Sequence, residues 1–228
     1  MPKPQTAHGP LRSFGRIQSR PVKPRQEALL TSLLPRIAVP TTPFEPRSLM
    51  PEAREVWLEI GFGGGEHLAG QAARARDVLL IGAEPFVNGV ASALRHVEEN
   101  ALQNVRLHHG DAREVIAALP DASLDRVFIL FPDPWQKARH HKRRLIQPAF
   151  VEDLARVLKP GGRFRFATDW SNYADWTLER MVARPDLFRW LGEKADDWRV
   201  APADHITTRY ETKKLGDCAP VFLEFERL

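Results

Sequence analysis

From residue 54 onward the chain alternates short apolar runs with segments of helical spacing, and this alternation restricts the architecture it can adopt. Val56-Trp57-Leu58-Glu59-Ile60 is a strand-length run ending in glycines, and Val78 to Ile81 is a second, closed by Glu84-Pro85. Residues 66–75 are helix-compatible, as are residues 87–100, with Val87, Val90, Ala91, Leu94 and Val97 at helical intervals. Asn104 to His108, Asp125 to Phe131 and Arg163 to Thr168 read as further strands. Pro148 to Leu158 reads as a helix stopped by Lys159-Pro160-Gly161-Gly162. Val221 to Arg227 alternates like a last strand. Buried strands separated by helices predict an α/β fold with a doubly wound, mostly parallel sheet. In such sheets ligands sit beyond the C-terminal strand ends, so site residues are expected just after strands.

Gly61-Phe62-Gly63-Gly64-Gly65 follows the first strand directly. Glycines there allow a sharp turn and a close ligand approach. A nicotinamide fingerprint would need glycine at 66, where Glu66 stands. Carboxylates also follow successive strands: Glu59, Glu84, Asp111 and Asp133. An acid after the second strand suits the paired hydroxyls of a ribose. An acid at the end of the first suits a cation better than a pyrophosphate. S-adenosylmethionine carries a sulfonium and an ammonium, so Glu59 and Asp111 favour it over NAD. Each acid alone is explained by a helix cap or a solvated surface; their joint placement is not.

The fourth strand leaves through Phe131-Pro132-Asp133-Pro134-Trp135, a carboxylate between two prolines with an indole beside it. Prolines fix φ, so Asp133 and Trp135 are held at defined positions. An acid beside a stackable ring matches the needs of a base held for alkylation, edge-on by hydrogen bonds and face-on by stacking. Next comes a basic run, Lys137-Ala138-Arg139-His140-His141-Lys142-Arg143-Arg144. Such runs are usually solvated faces, but this one abuts the strongest chemical motif of the chain.

Charge is unevenly placed. Residues 1–36 hold Lys3, Arg12, Arg16, Arg20, Lys23, Arg25 and Arg36 against the single acid Glu27, while the whole chain carries only +4. Together with the prolines crowded into the same region, this reads as an extended, partly disordered basic arm over residues 1–51, preceding a folded domain over 52–228. The arm is either a solvated tail or a contact for polyanion phosphates. The apolar run Val127 to Phe131 is far short of the ~20 residues of a membrane span, so no membrane partner is expected. Cys218 is the single cysteine, and no Cys/His cluster has zinc-ligand spacing, so neither a disulfide nor a metal is expected. No secretory leader is expected either, which makes the cytoplasm the expected compartment.

Glu59-Ile60-Gly61-Phe62-Gly63-Gly64-Gly65, Phe131-Pro132-Asp133-Pro134-Trp135, Lys137 and Arg139 to Leu145 together resemble the bacterial tRNA (guanine-N7-)-methyltransferase family. So do Thr168-Asp169 and Thr208-Arg209-Tyr210-Glu211, and Arg12-Ser13-Phe14 is similar to the family's leader. Gln136 stands where the family often has proline or histidine. The resemblance implies a class I, Rossmann-like sheet of seven strands with an antiparallel C-terminal strand. It implies methyl transfer from S-adenosyl-L-methionine to N7 of a guanine in the variable loop of tRNA. Glu59, Gly61, Gly63, Glu84, Asp111, Ala112 and Asp133 would then line the cofactor site, with Asp133 also catalytic. Lys137, Asp169, Thr208, Arg209, Tyr210 and Glu211 would touch the substrate, and Arg139, His140, His141, Lys142, Arg143 and Arg144 the RNA. Two other classes stay open. One is a class I methyltransferase acting on a different RNA, a small molecule or a protein; the other is a non-catalytic RNA-binding protein of the same fold.

Overall fold

The computed structural model of the chain describes residues 18–19 and 21–228. Its centre is a seven-stranded sheet of order β3-β2-β1-β4-β5-β7-β6. The strands are β1 (Glu55–Ile60), β2 (Val78–Ala83), β3 (Val105–His108), β4 (Leu124–Leu130), β5 (Leu158–Thr168), β6 (Phe188–Trp190) and β7 (Val221–Arg227). β1 to β5 are parallel, and β7 lies antiparallel between β5 and β6. The chain moves outward from β1 to β3 and returns to β4 on the other side of β1, so the strand order reverses between β1 and β4. That reversal opens the crevice in which such sheets take ligands.

Helices α1 (Pro24–Ser32), α2 (Glu66–Arg74) and α3 (Val87–Glu99) cover one face; α4 (Ala112–Ala118), α5 (Pro148–Val157) and α6 (Ser171–Val182) cover the other. A short α7 (Asp196–Arg199) lies near β7. Strand side chains alternate between these layers. Leu58 and Ile60 pack with Ile81, Ile129 and Phe164, whereas Trp57 packs with Leu80, Phe128 and the α2–α3 side. Glu59 shares Trp57's face and is therefore buried beneath α2, at 3% exposure. Covering both faces is why the strands read as continuous apolar runs. Each fully buried Leu or Phe of this kind contributes roughly 1.5–3 kcal/mol.

The structure corrects two expectations. Residues 24–50 do not run as an extended arm. α1 packs along α3, burying Leu29 and pairing Arg25 with Glu98 at 2.7 Å. Ile37 to Val39 then adds to the free edge of β3, with Leu107 N donating to Ile37 O at 2.8 Å and Val39 N to Leu107 O at 3.0 Å. Prolines that look like interruptions instead open helical turns: Pro24 begins α1, and Pro35 and Pro46 stand in the first turns of the 3-10 helices Leu34–Arg36 and Pro46–Leu49. A proline suits that place because its missing N–H has no helical partner to lose. Lys3, Arg12, Arg16, Arg20 and the Arg12-Ser13-Phe14 motif lie outside the described residues.

β5, moreover, starts at Leu158, not at Arg163. Leu158 pairs with Leu124, Lys159 Nζ reaches Asp125 at 2.6 Å, and Gly161, at φ +79°, absorbs the register shift before Arg163. Among the described residues no helix is long and apolar enough to cross a membrane.

Candidate functional site

The glycine loop, Glu84 and the start of α3 form one cradle at the C-terminal ends of β1 and β2. Gly61, Gly63 and Gly65 all take positive φ, at 70°, 54° and 81°. A Cβ on Gly63 would meet nothing within 4 Å, so the loop's outer side faces open space. Its inner side does not: a Cβ on Gly89 of α3 would stand 2.3 Å from Gly63 O. Glycine at 89, which the sequence reading missed, is what lets α3 approach the loop.

Glu84 accepts from Gly63 N at 2.8 Å through one oxygen and from Phe86 N at 2.9 Å through the other. Burial pushes its carboxyl up to about 7, against the opposing pull of these two N–H groups. A buried carboxyl beside open space above a glycine turn suits a ligand that brings hydroxyl donors. Glu59 is buried one strand away, and its Oε2 pairs with His67 Nδ1 of α2 at 2.8 Å.

Asp111 caps α4, accepting from Arg113 N at 3.0 Å and from the Arg113 guanidinium at 2.6 Å. Burial works against its ionisation, but Arg113's hydrogen bonds and charge outweigh it and hold the carboxyl below its ordinary range. Ala112 is buried directly behind it. Glu84 and Asp111 thus follow β2 and β3, as the sequence reading expected, whereas Glu59 lies within β1, one residue before its end, paired on both sides in the sheet.

Across the strand-order reversal, β4 leaves through the Pro-Asp-Pro turn. Phe131 and Trp135 flank it at φ 52° and 45°, a left-handed conformation rare for bulky residues. Such strain persists only where the surroundings enforce it. Phe131 N is held by Ala167 O at 2.8 Å, and Arg144 braces the far side of the turn, its Nε donating to Pro134 O at 2.9 Å and its Nη2 to Asn172 Oδ1 at 2.7 Å. Its guanidinium also lies over the Tyr173 and Trp176 rings, at 4.7 and 5.0 Å. Asp133 itself is exposed.

The basic run forms a 3-10 helix, Ala138–Arg143, folded back against this turn. Arg143 stands 4.9 Å above the Trp135 ring, and His140 meets the same ring edge-on at 6.0 Å. His141 packs edge-on against Trp176. Lys137, Arg139 and Lys142 are exposed. Arg144 departs from the reading of the run as one RNA contact. At 2% exposure its guanidinium points into the protein, because α6 offers it two acceptors and two rings.

Thr208 and Glu211 face each other. Thr208 N donates to Glu211 Oε1 at 2.7 Å and Glu211 N to Thr208 Oγ1 at 3.4 Å, a reciprocal pair that closes the turn leading into the 3-10 helix Glu211–Lys213. Tyr210 packs on Phe131 with ring centroids 5.7 Å apart, and its hydroxyl stands 3.5 Å from Asp169 Oδ1. Asp169 is buried and also accepts from Gly216 N at 3.0 Å. Arg209 is exposed. The 208–211 stretch is therefore brought beside the Asp133 turn, with Arg209 pointing outward.

Residues 53–222 match the family described as "Putative methyltransferase". The chain is 72% identical over 228 residues, covering 100% of both chains, to a Caulobacter sp. (strain K31) protein named tRNA (guanine-N(7)-)-methyltransferase. It is 51% identical over 217 residues, 94% of this chain and 99% of the relative, to a protein of the same name from Hyphomonas neptunium (strain ATCC 15444). Among solved structures it is similar to the 16S rRNA (adenine(1408)-N(1))-methyltransferase from Catenulisporales acidiphilia. That match has a TM-score of 0.56 and 17% identity, covering 84% of this chain and 96% of the other. At such identity the likeness speaks for the fold.

Proposed function

Because the chain belongs to the bacterial tRNA (guanine-N7-)-methyltransferase family, we propose that it transfers a methyl group from S-adenosyl-L-methionine to N7 of a guanine in the variable loop of tRNA. The observation that carries this reading is the meeting of two half-sites across the strand-order reversal. One is an acidic glycine cradle at β1–β3; the other is a rigid Pro-Asp-Pro turn rimmed by exposed cations.

The residues present fit the cofactor. Open space above Gly63 admits it, Glu84 accepts from a ribose hydroxyl pair, and Glu59 supplies negative potential for a cationic amino-acid end. Asp111 and Ala112, at the start of α4, border the base. When bound, S-adenosylmethionine supplies an electrophilic methyl on its sulfonium.

Guanine N7 has a lone pair and no proton to lose, so no strong general base is needed. The ring gains positive charge during attack, which leaves positioning and negative potential as the main catalytic levers. Asp133 provides both by accepting from the guanine's N1–H and amino group. Lys137, Arg139, Lys142 and Arg209 hold backbone phosphates, and the basic residues that precede α1, Lys3, Arg12, Arg16, Arg20 and Lys23, add charge to the same contact. That exposed cation set favours RNA over a small-molecule substrate.

The test is incubation of the protein with bulk tRNA and cofactor, followed by digestion and mass mapping of modified nucleosides. The expected product is 7-methylguanosine confined to variable-loop fragments. Methyl incorporation elsewhere, or none into tRNA, would overturn the assignment.

A further inference from the structure

Beneath the cofactor cradle runs a buried polar chain that the proposed reaction does not use. His67 and Gln71 stand one turn apart on the sheet-facing side of α2, at 1% and 2% exposure. Gln71 Nε2 donates to the backbone carbonyl of Asp204 at 2.6 Å and lies 3.1 Å from His67 Nε2. An amide N–H placed there requires His67 Nε2 to be the acceptor, so the ring proton sits on Nδ1. Nδ1 faces Glu59 Oε2 at 2.8 Å. The Asp204 carboxylate is in turn gripped by Arg165 at 2.8 Å and Arg126 at 3.1 Å, both projecting from the sheet. The far end of the donor chain is thus anchored to the scaffold.

On its other side the His67 ring lies 6.0 Å from that of His205, which pairs with Glu211 at 2.8 Å. Glu211 also accepts from Thr208 N in the turn that carries Arg209. One buried layer therefore joins the acid of the cofactor cradle to the stretch that carries Arg209.

We infer that His67 is a positioning residue for cofactor capture: its Nδ1–H, set by Gln71 and Asp204, fixes the Glu59 carboxylate so that its other oxygen serves the cofactor's cationic end. A carboxylate on a flexible stem otherwise samples several rotamers, and holding it in one removes that ordering cost from binding. The inference rests on the proposal above that Glu59 holds S-adenosylmethionine.

Two substitutions of similar polarity separate the positioning role from mere burial. His67→Asn keeps an N–H near the place of Nδ1; His67→Gln moves the amide toward the place of Nε2. A charge-assisted hydrogen bond is worth about 1.5–3 kcal/mol, roughly 10- to 100-fold in affinity. Calorimetric titration with S-adenosylmethionine should find His67→Gln weaker by that factor and His67→Asn within about threefold of wild type. In steady state the loss should appear in the cofactor KM far more than in kcat.

The same pair in a Glu59→Gln background should show no difference, because the group through which His67 acts is gone. Equal cofactor affinities for the two His67 variants, or a difference that persists without the Glu59 charge, would overturn the inference. If Glu59→Gln alone binds cofactor as tightly as wild type, it is the assignment of Glu59 that fails. Melting curves of all variants identify any loss that comes from unfolding.

Discussion

Arg144 donates from Nε to the carbonyl of Pro134 at 2.9 Å, which ties the buried cation of a basic run to the turn that presents Asp133. Its neighbours Lys142 and Arg139 are exposed, so one run of like charges divides into a strut and a contact surface.

That division predicts opposite phenotypes. Arg144→Lys loses the fork that serves Pro134 and Asn172 together. Turnover should fall on the order of 10- to 100-fold through displacement of Asp133, and stability by about 1–3 kcal/mol, with the salt slope of tRNA binding unchanged. Lys142→Gln should instead lower the log–log salt slope by roughly 0.7–0.9. Filter binding across a salt series, paired with single-turnover rates, reads both. A flattened slope for Arg144→Lys would make it a phosphate contact after all.

The cradle depends on glycine at two places for different reasons. At Gly63 a side chain has room but faces φ +54° and fills space the cofactor needs; at Gly89 it meets Gly63 O at 2.3 Å. Gly63→Val should abolish cofactor binding while the strain of the left-handed backbone costs ~1–2 kcal/mol. Gly89→Ala should weaken binding by pushing the loop off α3. Calorimetry beside melting curves decides. A folded Gly63→Val protein with wild-type cofactor affinity would remove this loop from the site.

Glu84 makes the cradle sensitive to pH near neutrality. Burial raises its carboxyl from 4.5 to about 7. For a raised group, the stability it contributes is complete below about 4.5 and is lost as pH rises through about 7. Cofactor affinity runs the other way, because ribose hydroxyls donate best to the ionised form. Affinity should be about tenfold tighter at pH 8 than at pH 6, and nearly flat in Glu84→Gln. A flat wild-type profile would show that Glu84 is not the acceptor.

Much of this was legible in the sequence, for identifiable reasons. Strands such as Val78–Ala83 are covered on both faces, so burial wrote itself as unbroken apolar runs. Glu84, Asp111 and Asp133 each follow a strand end, which the one-dimensional order preserves. What was hidden depends on distant partners. Nothing separates Arg144 from Arg143 until Asn172, Tyr173 and Trp176 arrive from α6. α1 was hidden because proline at a helix start and proline inside one look alike in sequence. His67 left only a faint trace, its spacing from Gln71, and the Asp204 carbonyl that gives the pair its direction comes from far along the chain.

Asp133 should act through orientation and charge together. Its replacement by Ala should lower single-turnover methylation on the order of 10²–10³-fold, with cofactor affinity less affected. Asp133→Asn keeps the shape and one acceptor but not the charge. A rate near that of Ala assigns the effect to charge, and a clearly faster one assigns it to orientation. Pro132, Pro134 and Arg144 hold the turn, so both variants should melt near wild type. Wild-type rates in both would leave Lys137 or Asp169 as the better candidates.

The acceptor atom itself gives the most direct measurement. A tRNA carrying 7-deazaguanine at the variable-loop position replaces N7 by a C–H and changes little else. The protein should bind this RNA within about threefold of the unmodified tRNA while transferring no labelled methyl to it. Methyl incorporation into the deaza substrate at a rate comparable to the guanine substrate would contradict the account, because the methyl would then be going to another atom.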